Sequence, residues 1–251
     1  MSLKVAVIGE TCLDRFVYGK VNRICPEAPV PVLEPIEEHR NLGMATNVYE
    51  NLRSICGKNK KDWVITLITN SPRGSKIRYI DKDSNQMFLR VDDDSYRQIN
   101  KKALEDLYLY DAVIVSDYNK GYLKEEDLAY IGDRSSLSFI DTKKFFNPLW
   151  FDSFDFVKIN EKEAQENGFY KNWQHAQKKT IITKSSEGCS FRGKNYKISN
   201  PSEVRDVCGA GDTFLAAFCY EYLLTKSFKQ SFEFAQNCCQ KVISKKGVVT
   251  P

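Results

Sequence analysis

Several things this chain lacks narrow what it can be. Histidine occurs twice only, as His39 and His175. No Cys-x-x-Cys pair is present. Structural zinc needs clustered Cys and His ligands, so a zinc centre is not expected. No apolar run approaches the ~20 residues that a membrane-spanning helix requires, and no membrane partner is expected. There is no internal repeat and no low-complexity tract, which sets aside disordered and coiled-coil classes. The start, Met1-Ser2-Leu3-Lys4, runs straight into a strand-like segment and does not resemble a signal peptide. The eight cysteines, Cys12, Cys25, Cys56, Cys189, Cys208, Cys219, Cys238 and Cys239, therefore read as reduced thiols of a cytoplasmic protein.

What remains is an ordinary globular composition. The 251 residues suit one large α/β domain or two small ones. Hydrophobic residues make up 42% and charged residues 28%, enough for a sizeable core. Net charge is +4, from 37 basic and 33 acidic residues. A nucleic-acid binder concentrates such charge in a patch or stripe. The only dense basic run here, Lys58-Asn59-Lys60-Lys61, reads as a solvated loop. Nucleic acid is not expected as a partner, and the mild excess fits a small anionic substrate.

The order of elements is informative. Residues 5–8 form a short apolar run ending at Gly9, the pattern of a buried parallel strand. Residues 16–38 hold Pro26, Pro29, Pro31 and Pro35, which exclude a helix and point to an edge strand or a protruding flap. Residues 76–81 and 86–92 are β-like runs around the turn Lys82-Asp83-Ser84-Asn85. Helices are expected over 44–55, 100–109, 124–135, 161–166, 212–225 and 228–244. Strands are expected over 63–69, 112–115, 137–140, 154–159 and 180–183, with a hairpin running from the last through Asn200. Alternating strands and helices predict a parallel sheet covered on both faces, with the early β-rich segments forming a smaller sheet.

The strongest chemical signal is Asp206-Val207-Cys208-Gly209-Ala210-Gly211-Asp212-Thr213-Phe214. Small residues just ahead of a helix let backbone N–H groups converge on an anion, assisted by the helix dipole. Asp212 is expected to cap that helix and to accept a proton. An anion cradle beside a base is what phosphoryl transfer to a hydroxyl needs. The same residues also fit a glycine-rich turn with a plain Asp cap. No Gly-Lys-Ser/Thr follows, so it is no Walker A loop, and it lies too late for a Rossmann fingerprint.

Gly-Ala-Gly-Asp opening a late helix resembles the signature of the ribokinase-like (PfkB) carbohydrate kinases. A second region, Gly9-Glu10-Thr11-Cys12-Leu13-Asp14-Arg15 followed by Asn22-Arg23-Ile24-Cys25-Pro26-Glu27-Ala28-Pro29-Val30-Pro31-Val32, looks like the start of heptose 7-phosphate kinases within that family. Ser116-Asp117-Tyr118-Asn119-Lys120-Gly121 and Asp141-Thr142-Lys143 match the same subfamily's spacing.

The resemblance implies a three-layer α/β/α sandwich with a mostly parallel central sheet and a small β-sheet lid. It implies a single kinase domain over residues 1–251, the lid coming from about 12–40 and 74–94. Asp212 would be the general base, and Gly209, Ala210 and Gly211 the anion hole for the transferring phosphoryl group. ATP and Mg²⁺ are the implied cofactors. Asn160 and Glu163, an Asn-x-x-Glu element, would place metal and phosphate largely through water. As a plain capping box the pair is equally at home. Asp206 joins the metal set by this reading, or is a loop carboxylate satisfied by amides. Thr183, Lys184, Ser185, Glu187 and Gly188 would line the nucleotide, with Cys208, Asn237 and Gly247. Asn237 alone also reads as a plain surface position.

On the acceptor side the implied residues are Asp14, Gly43, Asn47, Asp117 and Lys120. Lys120, with Arg15, Arg23 or Arg90, would meet a phosphate already on a sugar substrate, although each arginine alone also reads as a surface charge. A homodimer through the lid sheet is a further implication.

The chain departs from the family at two places. Met44 replaces the second glycine of the Gly-Gly-x-x-Asn sugar element, which puts the acceptor in question. The stretch between Cys56 and Ser71 is shorter than usual. The chain stops at Pro251, so no second, adenylyl-transferring domain is expected. Beside a heptose-phosphate kinase stand a kinase for another sugar, sugar acid or nucleoside, and a degenerate member that binds sugar or nucleotide without turnover.

Overall fold

In the computed structural model the described residues are 2–251 without 72–73, 169–173, 200–203 and 246–248. The expected site residue Gly247 lies outside them. Five central strands are parallel: β1 (Lys4–Gly9), β7 (Ala112–Asp117), β8 (Ser138–Thr142), β9 (Phe156–Asn160) and β10 (Thr180–Thr183), with β4 (Val64–Thr69) parallel at one edge. An antiparallel hairpin, β11 (Cys189–Phe191) and β12 (Lys194–Tyr196), closes the other edge. The order is β12-β11-β10-β9-β8-β7-β1-β4. The chain leaves β1 toward β4 on one side and resumes with β7 on the other. That is a topological switch point, and the crevice at the strands' C-terminal ends is where such sheets bind ligands.

Alternation along each strand splits the core in two. Val5, Val7, Ile114, Phe139, Phe156 and Ile181 face α1 (Ala45–Lys58), α6 (Ala210–Thr225) and α7 (Phe228–Ile243). Ala6, Ile8, Val113, Val115, Ile140 and Val157 face the opposite layer, built from α2 (Glu125–Arg134), α3 (Pro148–Phe151), α4 (Glu161–Glu166) and α5 (Gln174–Lys179). Three layers result, with apolar side chains on both faces of the sheet. Helix α6 is the centre of its layer. It packs against both α1 and α7, so every residue from Asp212 to Tyr220 is buried. An all-round buried helix brings Asp212 inside with it.

The second sheet has the order β3-β2-β5-β6, from β2 (Thr11–Ile24), β3 (Pro31–Met44), β5 (Gly74–Asp81) and β6 (Met87–Asp93). Pro31 and Pro35 sit in β3, an edge strand, where a missing N–H leaves no gap in a ladder. Register gives the sheet two unlike faces. Cys12, Asp14, Lys76, Arg78, Arg90 and Asp92 share one, and Leu13, Val17, Ile77, Tyr79, Leu89 and Val91 the other.

Residues 100–109 do not form the expected helix. They make two 3₁₀ turns, Lys101–Leu104 and Leu107–Leu109. Leu104 and Leu107 are both buried, and an i,i+3 pair suits three residues per turn. Helix α6 also begins two residues before Asp212, with Gly209 in the left-handed region at φ 77° as its cap. Asp212 therefore does not cap the helix, and its carboxylate is left for other work.

Candidate active site

A cleft of about 550 Å³ opens at the C-terminal ends of β7–β10, under the first turn of α6. Tyr118, Asp141, Asn160 and Thr183 reach it from the strand ends, and Gly209, Ala210, Gly211 and Asp212 from the helix. Within the helix start, the Ala210 amide donates to Val207 O and Thr213 to Gly209 O. The Gly211 and Asp212 amides belong to the first turn, whose N–H groups have no carbonyl inside the helix. They are the donors that an anion would meet.

Asp212 is 5% exposed. One carboxylate oxygen accepts from Asn47 Nδ2 at 2.8 Å, the other from the Tyr118 hydroxyl at 3.0 Å. Burial raises its pKa to about 6, the Asp141 charge adds to the rise, and Asn47, Lys158 and Tyr118 oppose it. A carboxylate poised near neutrality is suited to take a proton. The Asn47 amide is itself held, its Oδ1 accepting from Asn51 Nδ2 at 2.9 Å.

Lys158 is not signalled by any motif in the sequence. It is 4% exposed in β9, and its Nζ stands 2.5 Å from Asp141 Oδ2. A Cβ added to Gly211 would come within 2.9 Å of that Nζ, so the ammonium sits directly against the helix start. Burial disfavours its charge, yet Asp141, Glu163 and Asp212 outweigh this and its pKa ends above the ordinary value. The readable signal is a lysine inside an otherwise apolar strand just ahead of Asn160. Sequence reasoning also does not place Asp141, Tyr118, Lys76 or Arg78 in the site.

Asn160 caps α4 and Glu163 completes the box, with bonds of 2.9 and 2.8 Å. Glu163 also pairs with Lys143. Asp206 accepts from the Cys208 amide at 2.9 Å and is not among the lining residues, which favours the loop-carboxylate reading over a ligand. Among the described residues no three His, Cys, Asp or Glu side chains converge into a cage. Two oxygen-bearing side chains beside an open cleft fit a hard cation that keeps most of its waters and is held through phosphates.

Of the nucleotide-side residues, Thr183, Ser185 and Gly188 line the cleft. Gly188 has φ 93°, and a Cβ there would stand 2.1 Å from Tyr196 O, so only glycine fits. Lys184 does not line it. That side chain borders a separate cavity of about 320 Å³ behind β10 and β11. Glu187 is exposed in the turn Ser185–Glu187, and Cys208 is exposed beside the cradle. Asn237 points to solvent; Gln236, Cys239, Gln240 and Ile243 share the inward face of α7, at the spacing of one helical side. The motif locates the right helix but not its phase. Val204 and Val207, both well exposed at the cleft, supply apolar surface beside Ile243.

On the other side of Asp212, Asp14 is 8% exposed and accepts from Arg78 Nη1 at 2.6 Å. A Cβ at Gly43 would stand 2.4 Å from Asp14 Oδ2, so any side chain there would push that carboxylate aside. Lys76 Nζ lies 5.9 Å from the Tyr118 ring centroid. The charged face of the small sheet thus turns toward Asp212. Asp117 departs from expectation: at 1% exposure its oxygens are spent on Thr142, Lys144 and the Asn119 amide, so it builds the loop and is not free for substrate. Lys120 pairs with Asp94, Arg90 with Asp92 and Arg15 with Glu38. Arg23 is exposed near the tip of the β2–β3 hairpin and is not among the residues assembled around Asp212. Met44 does not intrude. It is buried with φ 61°, its sulfur accepting from the Tyr96 hydroxyl at 3.6 Å.

Residues 149–251 match the family described as pfkB family carbohydrate kinase. Over its whole length the chain is 31% identical to the bifunctional protein HldE of Nitratiruptor. Over 97% of its length it is 30% identical to the protein of that name from Helicobacter pylori. Residues 149–251 thus resemble pfkB family carbohydrate kinases, and the chain as a whole is similar to these two relatives. It spans 63% of the length of each of these two relatives. The fold is that of ribokinase: the Thermotoga maritima enzyme superposes with a TM-score of 0.72 at 16% identity, covering 98% of this chain and 94% of that one. Arabidopsis thaliana ribokinase, solved with ribose and ATP, gives the same score, identity and coverage. Among the described residues, no helix is long and apolar enough to cross a membrane.

Proposed function

We propose that this chain is an ATP-dependent sugar kinase of the cytoplasm, its acceptor a sugar that already carries phosphate, with heptose 7-phosphate the first candidate. The observation that carries the reading is the buried Asp212 carboxylate at the start of α6, its pKa raised to about 6, beside the first-turn amides and the Lys158 ammonium. Asp212 takes the proton from the acceptor hydroxyl. The freed oxygen attacks the γ-phosphorus, and the bond to the bridging oxygen of the leaving ADP breaks. Charge on the transferring group meets the Gly211 and Asp212 amides and Lys158.

Asn160 and Glu163 would hold Mg²⁺ through water. Bound there, the ion would neutralise phosphate charge. The nucleotide would lie along Thr183, Ser185 and Gly188, its base against Val204, Val207 and Ile243. Asp14 and Asn47 would take sugar hydroxyls. The acceptor phosphate falls to Lys76 and Arg78, which stand on the same sheet face as Asp14. The small sheet acts as a lid that excludes water. Its apolar face supports a homodimer. The resemblance of residues 9–15 and 22–32 to the start of heptose 7-phosphate kinases supports the heptose choice.

An ADP-release assay over a panel of sugars, sugar phosphates, sugar acids and nucleosides tests the acceptor. Heptose 7-phosphate is expected to give the highest kcat/KM. An unphosphorylated sugar or a nucleoside winning by tenfold or more would overturn the acceptor class.

A further inference from the structure

We infer that Tyr118 is a positioning residue for the Asp212 carboxylate and that buried Glu10 sets Tyr118 in place. The inference rests on the proposed role of Asp212 as base. The Asp212 oxygens each receive one donor, Asn47 Nδ2 on one and the Tyr118 hydroxyl on the other. Two single-point anchors fix the plane of the carboxylate while leaving lone pairs for an acceptor hydroxyl.

Tyr118 reaches this place from a loop of unusual construction. The amides of Tyr118 and Lys120 both donate to Glu10, at 2.8 and 2.9 Å. Glu10 is 0% exposed. A carboxylate that deep in the protein is costly unless its oxygens are bonded. Here both oxygens are used, each on one amide of the same loop. Asp117 anchors the other side of the turn through the Asn119 amide and Lys144. The loop is therefore clamped by Glu10, which follows β1, and by Lys144, which lies just past β8, and the tyrosine hydroxyl meets Asp212.

The charges around these groups are few. Asp212 faces Asp141 from β8, Lys158 from β9 and Tyr118, with neutral Asn47 from α1. The ammonium groups of Lys76 and Lys143 each lie 5.9 Å from the Tyr118 ring centroid. Burial, followed by the Asp212 and Asp141 charges, raises the phenol's pKa well above the ordinary value, so it stays a donor. Glu10 faces Asp117, and burial followed by that charge raises its pKa. A hydrogen bond donated to a carboxylate favours the charged form, so the tyrosine keeps Asp212 a base at lower pH than burial alone would allow.

The test compares wild type with Tyr118→Phe, Glu10→Gln and the double variant, using saturating ATP and the best acceptor. Phenylalanine keeps the ring packing, and its thermal midpoint is expected to match wild type. Its kcat is expected to drop about tenfold and the acid limb of its pH profile to rise by roughly one pH unit, with KM values within twofold. Glutamine offers one acceptor oxygen where the clamp uses two, so Glu10→Gln is expected to shift the limb the same way. If Glu10 acts through Tyr118, the double variant is no worse than Tyr118→Phe. A Tyr118→Phe enzyme with wild-type kcat and an unmoved limb overturns the inference, as does strict additivity in the double variant. Should Glu10→Gln not fold, the Tyr118→Phe profile decides alone. A wild type without turnover on any acceptor is a different result: it overturns the kinase reading itself, and this inference with it.

Discussion

Asp212 is the residue on which the proposed chemistry turns. Only its ionised form accepts a proton. Burial, aided by the Asp141 charge, lifts its pKa to about 6 against the bonds from Asn47 and Tyr118 and the charge of Lys158. Below that value the carboxyl is protonated and idle. Turnover is therefore expected to climb with pH through about 6 and level off above it, as a kcat profile measured between pH 5 and 8 would show. The Lys158–Asp141 pair gives a second prediction. Lys158→Met leaves Asp141 buried without its partner, and removing one member of a buried pair costs about 3–5 kcal/mol. Adding Asp141→Asn is expected to restore much of the thermal midpoint but not the activity, since the ammonium at the cradle stays absent. Recovery of both would assign the lysine to folding alone. Asp212 is legible in the sequence because the cradle and the base are contiguous. Lys158, Asp141 and Arg78 are not, because strands far apart in the chain bring them together, and a lone charge in a strand carries no address.

At the level of elements, the strand pattern is readable because buried parallel strands are short apolar runs with few alternatives. The prolines of residues 26–35 likewise mark an edge strand, since each removes a donor that a central ladder would need. Helix phase and turn type are less legible. Asn237 is one residue away from Gln236, which lines the cleft, and residues 100–109 have leucines that serve 3₁₀ turns as well as a helix. Met44, at the junction of β3 and α1, shows two opposing effects. Its φ of 61° with ψ −132° is a glycine-like conformation, costing of order 1–3 kcal/mol. Its side chain is 3% exposed, and removing a buried methionine costs about 2–5 kcal/mol. The cavity outweighs the strain. Met44→Gly is expected to lower the thermal midpoint by several degrees at roughly 2–4 °C per kcal/mol, and a stabilised variant would show that strain dominates instead.

For the whole molecule, the mild excess of positive charge suits the proposed nucleotide and sugar phosphate, and the small sheet offers the face for the proposed dimer. One face of that sheet carries the charges around Asp14. The other carries Leu89 and Val91, 55% and 44% exposed, on an edge-strand pair with Ile77 and Tyr79. Such a face is expected to be covered by a second copy. Sedimentation is expected to show a dimer for wild type and a monomer for Leu89→Glu/Val91→Glu; a wild-type monomer at tens of micromolar would remove the dimer from the account.

The central claim is phosphoryl transfer with Asp212 as base, and the most direct measurement is single-variant turnover. Asp212→Asn keeps the shape of the side chain and its contact with Tyr118 but cannot accept the proton. With ATP and the best acceptor, ADP release by this variant is expected to fall by roughly 10²–10⁴-fold, with ATP affinity by calorimetry within a few-fold of wild type. Turnover by Asp212→Asn at the wild-type rate would contradict the account.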